Sequence, residues 1–376
     1  MRIAIEAQRI FRPDKHGMDY AALGLIKALD KLDDDNEYYV IVAPGKDNLC
    51  LEESLKLSII ELKCPTYPLW EQVALPLTVK HLKVDLLHCT SNTAPLRCPV
   101  PLVLTLHDVI YMSDSNTHGM TYYQRMGRKY RRLVVPKLIN RCNKIVTVSE
   151  NEEEEIANCF PTLNKDVSVI YNGYNTDYHP IKNYYQITRK YTREPSYLLF
   201  LGNTDPRKNL TGVLHSYARY LQKSTRKQKL LITGMKEDYI HSVLVAENLI
   251  ELKSHLVLTN YIPGNDLAAL FNGAFALLFP SLLEGFGIPI LEAMACGTPV
   301  ITSNVSSMPE VAGKSELLVD PTKPDEIANA ILRLEDDQSF YENQVAYGLH
   351  RVKAFSWDNT AQEYRNIYQE VYDEIY

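Results

Sequence analysis

The chain has 376 residues, 45% hydrophobic and 23% charged, which suits two globular domains of roughly 150 to 200 residues each rather than one. A formal net charge of −6 gives no global attraction for nucleic acid, so an anion site has to be local. Seven cysteines, at 50, 64, 89, 98, 142, 159 and 296, form no C-x-x-C pair, and no run approaches the roughly 18 apolar residues of a membrane span; a reducing, cytoplasmic setting without a zinc site is expected.

The opening MRIAIEAQRIF alternates apolar positions around a Glu and two Arg residues, which reads as a strand and not as a signal-peptide core. Strands are expected at Arg2–Ala7, Tyr38–Ala43, Leu86–His88, Leu102–His107 and Lys144–Val148, with helices at Met18–Leu32 and Thr121–Asn140. Ser149, with Glu152 three residues on, forms a capping box that starts a helix through Glu152–Cys159, and the acids Glu152–Glu155 suit the first turn of its dipole. A polar stretch with prolines at 180 and 195 marks a linker, 179–196, between a first domain, 1–178, and a second, 197–355. Beyond it the alternation restarts, with strands at Tyr197–Gly202, Lys229–Thr233, His255–Thr259, Phe275–Pro280, Pro299–Thr302 and Glu316–Val319. The pattern predicts an α/β fold of two Rossmann-like domains, parallel sheets covered by helices, facing a cleft. The ending WDNTAQEYRNIYQEVYDEIY repeats Ala361, Tyr364, Ile367, Tyr368, Val371, Tyr372 and Ile375 at three- and four-residue spacing, an amphipathic helix that has to dock.

The stretch EGFGIPILEAMACG sets Glu284 in a loop after a strand and Glu292 in the helix that follows. An ionised carboxylate only accepts hydrogen bonds and can take both hydroxyls of a vicinal diol, so two of them fit two diol-bearing parts of one ligand. Backbone N–H groups at Phe286, Gly287 and Ile288 suit a phosphate at the helix start between them. A capped turn and a solvated helical acid account for the same two residues. After Tyr197–Gly202 the loop NTDPRKNL puts Arg207 and Lys208 beside a helix N-terminus, a place cations avoid unless an anion is bound there. Two exposed basic residues are the simpler account.

In the first half, Leu102–His107 ends in His107-Asp108 at a carboxyl edge, where the imidazole can donate to a sugar hydroxyl or to developing charge and Asp108 can orient it. A structural His with an N-capping Asp fits equally. The loop QRIFRPDKHGMDY carries Arg9, Arg12, Lys15 and His16 ahead of Gly17, a positive face for a phosphorylated acceptor or for solvent, and it lacks a G-x-G-x-x-G fingerprint. RMGRKYRR gathers Arg125, Arg128, Lys129, Arg131 and Arg132 on one helix, a cationic face for an anionic membrane surface or for water. Asp33-x-Asp35 reads as a solvated loop at a helix end, not a metal site.

Together, the E-x(7)-E element Glu284–Glu292, the loop GNTDPRKN, the segments VSENEEEEI and VIYNGYN, and the ending FSWDNTAQEY resemble the retaining nucleotide-sugar glycosyltransferases of family four. The resemblance covers essentially the whole chain. It implies the two-domain GT-B architecture, with a C-terminal helix, 356–376, crossing back to the first domain. It implies that Glu292 holds the ribose hydroxyls, that Glu284 contacts the transferred sugar, and that Phe286, Gly287 and Ile288 supply backbone contacts. Lys208 and Arg207 would neutralise the leaving diphosphate, so that no metal and no cofactor are required. His107 would contact the donor sugar, and Gly17 would let the backbone approach the donor. Two positions depart from the pattern: Asn203, not Arg, follows Gly202, and His16 replaces the usual second glycine. The implied partners are a nucleotide-sugar donor, GDP-mannose foremost, and a glycan or lipid-linked acceptor, with peripheral membrane contact and no nucleic acid. A non-hydrolysing nucleotide-sugar epimerase and a catalytically silent binding homologue are the alternatives.

Overall fold

The computed structural model describes residues 1–113 and 122–376. Its contacts divide into two compact units, Met1–Gly173 together with Phe355–Tyr376, and Tyr174–Ala354. Residues 179–196 are folded into the second unit: the Ile181 N–H donates to Asn272 Oδ1 at 2.7 Å and the Tyr191 hydroxyl to Asp266 Oδ2 at 2.6 Å. The division therefore falls ahead of the prolines that suggested a linker.

The first unit holds seven parallel strands: β1 (Arg2–Glu6), β2 (Glu37–Val42), β3 (Leu57–Glu61), β4 (Leu86–Cys89), β5 (Leu102–Leu106), β6 (Lys144–Thr147) and β7 (Val167–Val169). Their order is β3-β2-β1-β4-β5-β6-β7. Successive side chains along β5 feed opposite cores. Val103 joins Ile26 and Tyr368, while Leu102 and Leu104 join Trp70 and Val135, as expected of a sheet covered on both faces. The strands β3 and β7 were not predicted; most of their residues are only half-buried, so their apolar signal is weak. The helix expected at 121–140 runs Tyr122–Leu138, Thr121 lying outside the described residues. The acidic helix starts at Glu150, two residues early, because Ser149 is its N-cap and accepts from the Glu152 N–H at 3.1 Å. Its Glu152 is buried, not solvated, and accepts from the Val109 N–H at 3.3 Å.

The last helix, Trp357–Asp373, packs against the Gly17–Lys31 helix and buries Ala361, Tyr364, Ile367, Tyr368 and Val371 in the first unit's core. The apolar stripe stops there; Ile375 lies past the helix end and is 44% exposed. Room for Trp357 comes from Gly24, where a Cβ would sit 2.3 Å from the indole. Two tyrosines of this helix enter a buried polar chain. The Tyr368 hydroxyl meets His88 Nδ1 at 2.7 Å, His88 Nε2 meets Thr105 Oγ1 at 2.8 Å, and Thr105 Oγ1 meets the Tyr364 hydroxyl at 2.8 Å. Burial pushes the imidazole down to about 3, so it is neutral and donates through one nitrogen while accepting through the other.

The second unit holds six parallel strands: β8 (Tyr197–Leu201), β9 (Leu230–Thr233), β10 (Leu256–Leu258), β11 (Ala274–Phe279), β12 (Val300–Ser303) and β13 (Leu318–Val319), ordered β10-β9-β8-β11-β12-β13. Both sheets thus reverse their winding once, between β1 and β4 and between β8 and β11. At such a reversal the loops leaving the two strands' carboxyl ends part to opposite faces and leave a crevice.

Tyr368→Ala removes a fully buried ring and leaves His88 Nδ1 without its partner. We expect a loss of about 3–5 kcal/mol from the first unit, read as a lowered urea midpoint.

Candidate active site

Two loops of the second unit, following β8 and β11, bring the predicted residues together. The first begins with Asn203, whose Oδ1 accepts from the Asp205 N–H at 2.9 Å. Asp205 in turn caps the single turn Pro206–Lys208 by accepting from the Arg207 N–H at 3.0 Å. The Arg207 guanidinium folds back on the same carboxylate, Nη2 to Oδ2 at 2.6 Å. Burial would raise the Asp205 carboxyl, but these hydrogen bonds and the Arg207 charge outweigh it and hold it below its ordinary value. Lys208 points the other way. Its Nζ lies 2.5 Å from Glu284 Oε1 and 5.2 Å from the centre of the Phe279 ring. Adjacent cations therefore have different settings: Arg207 is braced within its own loop and Lys208 reaches across to the next.

Asn209 holds the two loops in register. Its backbone is left-handed at φ +60°, a conformation Asn tolerates, and its Oδ1 accepts from the Gly212 N–H at 3.2 Å to cap the Leu210–Lys223 helix. The same side chain donates to the carbonyls of Pro280 at 3.0 Å and Pro321 at 2.8 Å. A backbone bond from Leu282 N–H to Arg207 O at 2.7 Å adds a second tie. On the far side, Ser306 and Ser307 hydroxyls donate to Glu284 O at 2.8 and 2.9 Å, and Ser307 also to Phe286 O at 2.9 Å. The backbone carrying Glu284 is fixed, and its side chain is 12% exposed.

After Glu284 the chain turns at Gly287, whose φ of +109° favours glycine, and enters the Ile288–Ala295 helix. Pro289 brings no N–H to this helix start, and the Ile290 N–H closes on Gly287 O at 3.0 Å, which limits the donors that can face a ligand. Glu292 lies one turn in. It keeps some exposure but is surrounded by protein, and burial pushes its carboxyl up to about 7, opposed by a hydrogen bond from the Tyr178 hydroxyl.

In the first unit, His107 and Asp108 follow β5. The His107 N–H donates to Asn92 Oδ1 at 2.6 Å, and Nε2 lies 2.9 Å from the Thr90 carbonyl. A carbonyl only accepts, so Nε2 carries the proton. Burial lowers the imidazole, which leaves neutral Nδ1 as an acceptor, not the donor expected from sequence. Asp108 Oδ1 accepts from the Ile110 N–H at 3.2 Å, turning the chain after the strand. The loop after β1 is less positive than its composition: Arg9 pairs with Asp19 at 3.1 Å and buried Lys15 with Asp47, leaving Arg12 and His16. His16 caps the Gly17–Lys31 helix, and a Cβ at Gly17 would meet nothing within 4 Å, so no protein contact requires glycine there. At the end of β1, Glu6 is fully buried, pushed up to about 7 by burial, and its Oε2 has no hydrogen-bond partner among the described residues.

The basic helix does not present five cations on one face. Arg128 is buried and donates to the Tyr111 carbonyl at 3.2 Å and to the Ser113 carbonyl. Arg131 stacks over the Tyr111 ring at 5.8 Å. Arg125, Lys129 and Arg132 stay exposed, beside Met126 and Leu133. Among the described residues no group of three or more His, Cys, Asp or Glu side chains could hold a metal ion, and no helix is long and apolar enough to cross a membrane.

Asn209, Tyr178 and the two serines escaped the sequence reading because their partners lie far along the chain. Only the left-handed preference of Asn after a Pro-x-x turn hinted at one of them.

Residues 16–178 match the family model described as Glycosyltransferase Family 4, and residues 183–351 the one described as Glycosyl transferases group 1. The O-antigen chain mannosyltransferase B of Escherichia coli is 31% identical over 272 residues, covering 71% of this chain and 70% of that protein. Sucrose-phosphate synthase from Thermosynechococcus elongatus has the same fold, with a TM-score of 0.75 at 21% identity over 99% of both chains. Anabaena Alr3699/HepE, solved in complex with UDP-glucose, gives a TM-score of 0.74 at 17% identity over 98% of this chain and 100% of that one.

The raised Glu292 carboxyl fixes the sign of a stability effect. Between pH 4.5, its ordinary value, and about 7 the folded protein holds a proton that the unfolded chain releases, so stability falls as pH rises through that window. Glu292→Gln is expected to raise the calorimetric melting temperature at pH 8 and to match the wild type at pH 4.

Proposed function

The chain belongs to the family-four glycosyltransferases of GT-B architecture, and on that premise we propose that it transfers a hexose, with mannose first among candidates, from a nucleoside-diphosphate sugar to a glycan or lipid-linked saccharide, retaining the anomeric configuration, in the synthesis of a cell-surface polysaccharide. The observation that carries this reading is the Lys208–Glu284 pair at the carboxyl edge where the second sheet reverses. One cation and one carboxylate there suit a ligand that brings a phosphate to the first and hydroxyls to the second. The ligand would divide the pair, replacing one short ion contact by two charge-assisted ones. Mannose is supported by the name of the relative from Escherichia coli, and a nucleotide-sugar donor by the UDP-glucose held by the Anabaena protein.

In the proposed reaction the bond from C1 of the sugar to the diphosphate oxygen breaks, and the acceptor oxygen bonds C1 on the same face. The acceptor's proton leaves with the departing phosphate. Lys208 meets the charge that grows on the leaving group, with Arg207 behind it once an anion competes with Asp205. This is the work a divalent ion does in other transferases, so neither a metal nor another cofactor is invoked. Glu284 holds sugar hydroxyls, Glu292 those of the ribose, and Phe286, Gly287 and Ile288 the backbone around the phosphates. His107 offers Nδ1 to a sugar hydroxyl. Lys208→Ala and Glu284→Ala should each lower transfer at least about tenfold, by the removal of a charge-assisted contact worth roughly 1.5–3 kcal/mol, without changing the circular dichroism spectrum. Radiolabelled transfer from UDP-, GDP-, ADP- and dTDP-sugars to lipid-linked acceptors measures this; normal turnover in either variant removes the site assignment.

A cytoplasmic protein with a lipid-linked acceptor would work at a membrane surface, and Arg125, Lys129 and Arg132 beside Met126 and Leu133 form a basic, partly apolar stripe suited to peripheral contact. Changing Arg125 and Lys129 to Glu should lower sedimentation with anionic vesicles and flatten its salt dependence, leaving neutral vesicles unaffected.

A further inference from the structure

We propose that Ser306 is a positioning residue for Glu284: its hydroxyl grips both peptide groups of that acid and sets where the carboxylate meets the sugar. The proposal rests on the reading of Glu284 as the acid that holds sugar hydroxyls.

The backbone pairing of β11 with β12 ends at Phe279 and Thr302, ahead of Glu284. Beyond it, hydroxyl side chains from the end of β12 and from the loop after it take over. Thr302 Oγ1 donates to Phe279 O at 2.9 Å, Ser303 Oγ to Ser281 O at 2.5 Å, and Ser307 Oγ to Glu284 O and Phe286 O, each at 2.9 Å. Thr302, Ser303 and Ser307 are fully buried. A side chain demands no strand geometry of the segment it supports, so the loop that carries Glu284 can leave the sheet and still be held at every second or third residue.

Ser306 differs from these three in what its hydroxyl does and in its backbone. Its Oγ donates to Glu284 O at 2.8 Å and accepts from the Glu284 N–H at 3.2 Å. A hydroxyl has one donor and two acceptor sites, so a single oxygen can satisfy the N–H and the C=O of one residue. Holding both limits rotation about the two backbone bonds that aim the Glu284 side chain, which runs from there to Lys208 Nζ at 2.5 Å. The Ser306 backbone lies at φ +56°, in the left-handed region that glycine enters freely and serine rarely. Asn304 and Val305, just before it, are exposed, and the left-handed turn brings the next hydroxyl back onto the loop. Glycine would make that turn with less strain but would carry no hydroxyl. Strain kept beside a proposed reaction centre points to the side chain, and not the turn, as what the position requires.

The consequence falls on transfer and not on nucleotide binding, because Ser306 acts on the acid assigned to the sugar, whereas Lys208 and Glu292 are assigned to the nucleotide. The test uses Ser306→Gly and Ser306→Ala, each with Glu284 intact and with Glu284→Ala. Ser306→Gly keeps the turn and removes the grip. It should leave the urea midpoint near the wild-type value and lower kcat about tenfold, since a small misplacement of a reacting group is enough for that. Calorimetry should show unchanged affinity for the free diphosphate of the donor used, GDP for a GDP-sugar and UDP for a UDP-sugar. Ser306→Ala should lose the same activity and also lower the urea midpoint, because alanine keeps the strain. In the Glu284→Ala background Ser306→Gly should cost nothing further, the group it positions being gone. Full activity in Ser306→Gly overturns the proposal, since the position would then require only a turn. A tenfold loss repeated in the Glu284→Ala background, or a parallel loss of diphosphate affinity, overturns it as well, because the hydroxyl would then act elsewhere. Normal transfer by Glu284→Ala overturns the reading of that acid and this proposal with it.

Discussion

A strand that twists to the right and a helix that coils to the right pack back on one another with a single hand, and from that constraint the rest follows. A parallel sheet that grows outward from its middle must reverse its winding once. Both sheets here do so beside their first strand, and the loops leaving β8 and β11 diverge at that point. The residues proposed to touch the donor in the second unit lie on those two loops or on the helix after the second. Their divergence creates the opening, and Asn209, the Leu282–Arg207 backbone bond and the two serines limit how far it widens.

Within that opening, acids that look alike in sequence have different physical states. Glu284 faces the ammonium of Lys208. Among the described residues no cation pairs with Glu292, and burial pushes its carboxyl up to about 7. Such an arrangement costs stability, since the group would be better solvated outside, and sites built for ligands often carry that cost. The same contrast separates the two cations. Arg207 is committed to Asp205 in its own loop, whereas Lys208 spans to a residue that a ligand would also seek. In the first unit, His107 shows how one backbone carbonyl decides what an imidazole can offer: with Nε2–H spent on Thr90, only a lone pair remains.

The architecture was legible because fully buried strands such as β5 and β11 read as unbroken apolar runs between turn residues. The strands β3 and β7 were not, because partial burial lets polar residues into the pattern. Local chemistry was readable where cause and effect lie a few residues apart, as in Ser149 capping toward Glu152. It failed where they are distant. The composition of RMGRKYRR shows charge, but not that Arg128 turns inward to the carbonyls of Tyr111 and Ser113. Likewise the prolines at 180 and 195 suggest a loose connection, and nothing nearby indicates that the Ile181 N–H is held by Asn272. Spacing identified which side chains could bind a diol; their protonation and orientation depend on contacts that no local pattern encodes.

The Trp357–Asp373 helix completes the core of the first unit through Tyr364, Tyr368 and the His88–Thr105 chain. Its sequence is made after all of the second unit, Tyr174–Ala354, whose own core is contiguous along the chain. On the ribosome the order of completion is therefore inverted. The unit begun first waits, with Ala22, Ile26 and Val103 uncovered on one face, until the helix that covers them emerges, while the unit begun second can close in the meantime. A polypeptide stalled short of Trp357 would thus pair one finished half with one that exposes apolar surface. Quality-control proteases that bind such surface would sense whether the last helix has been made.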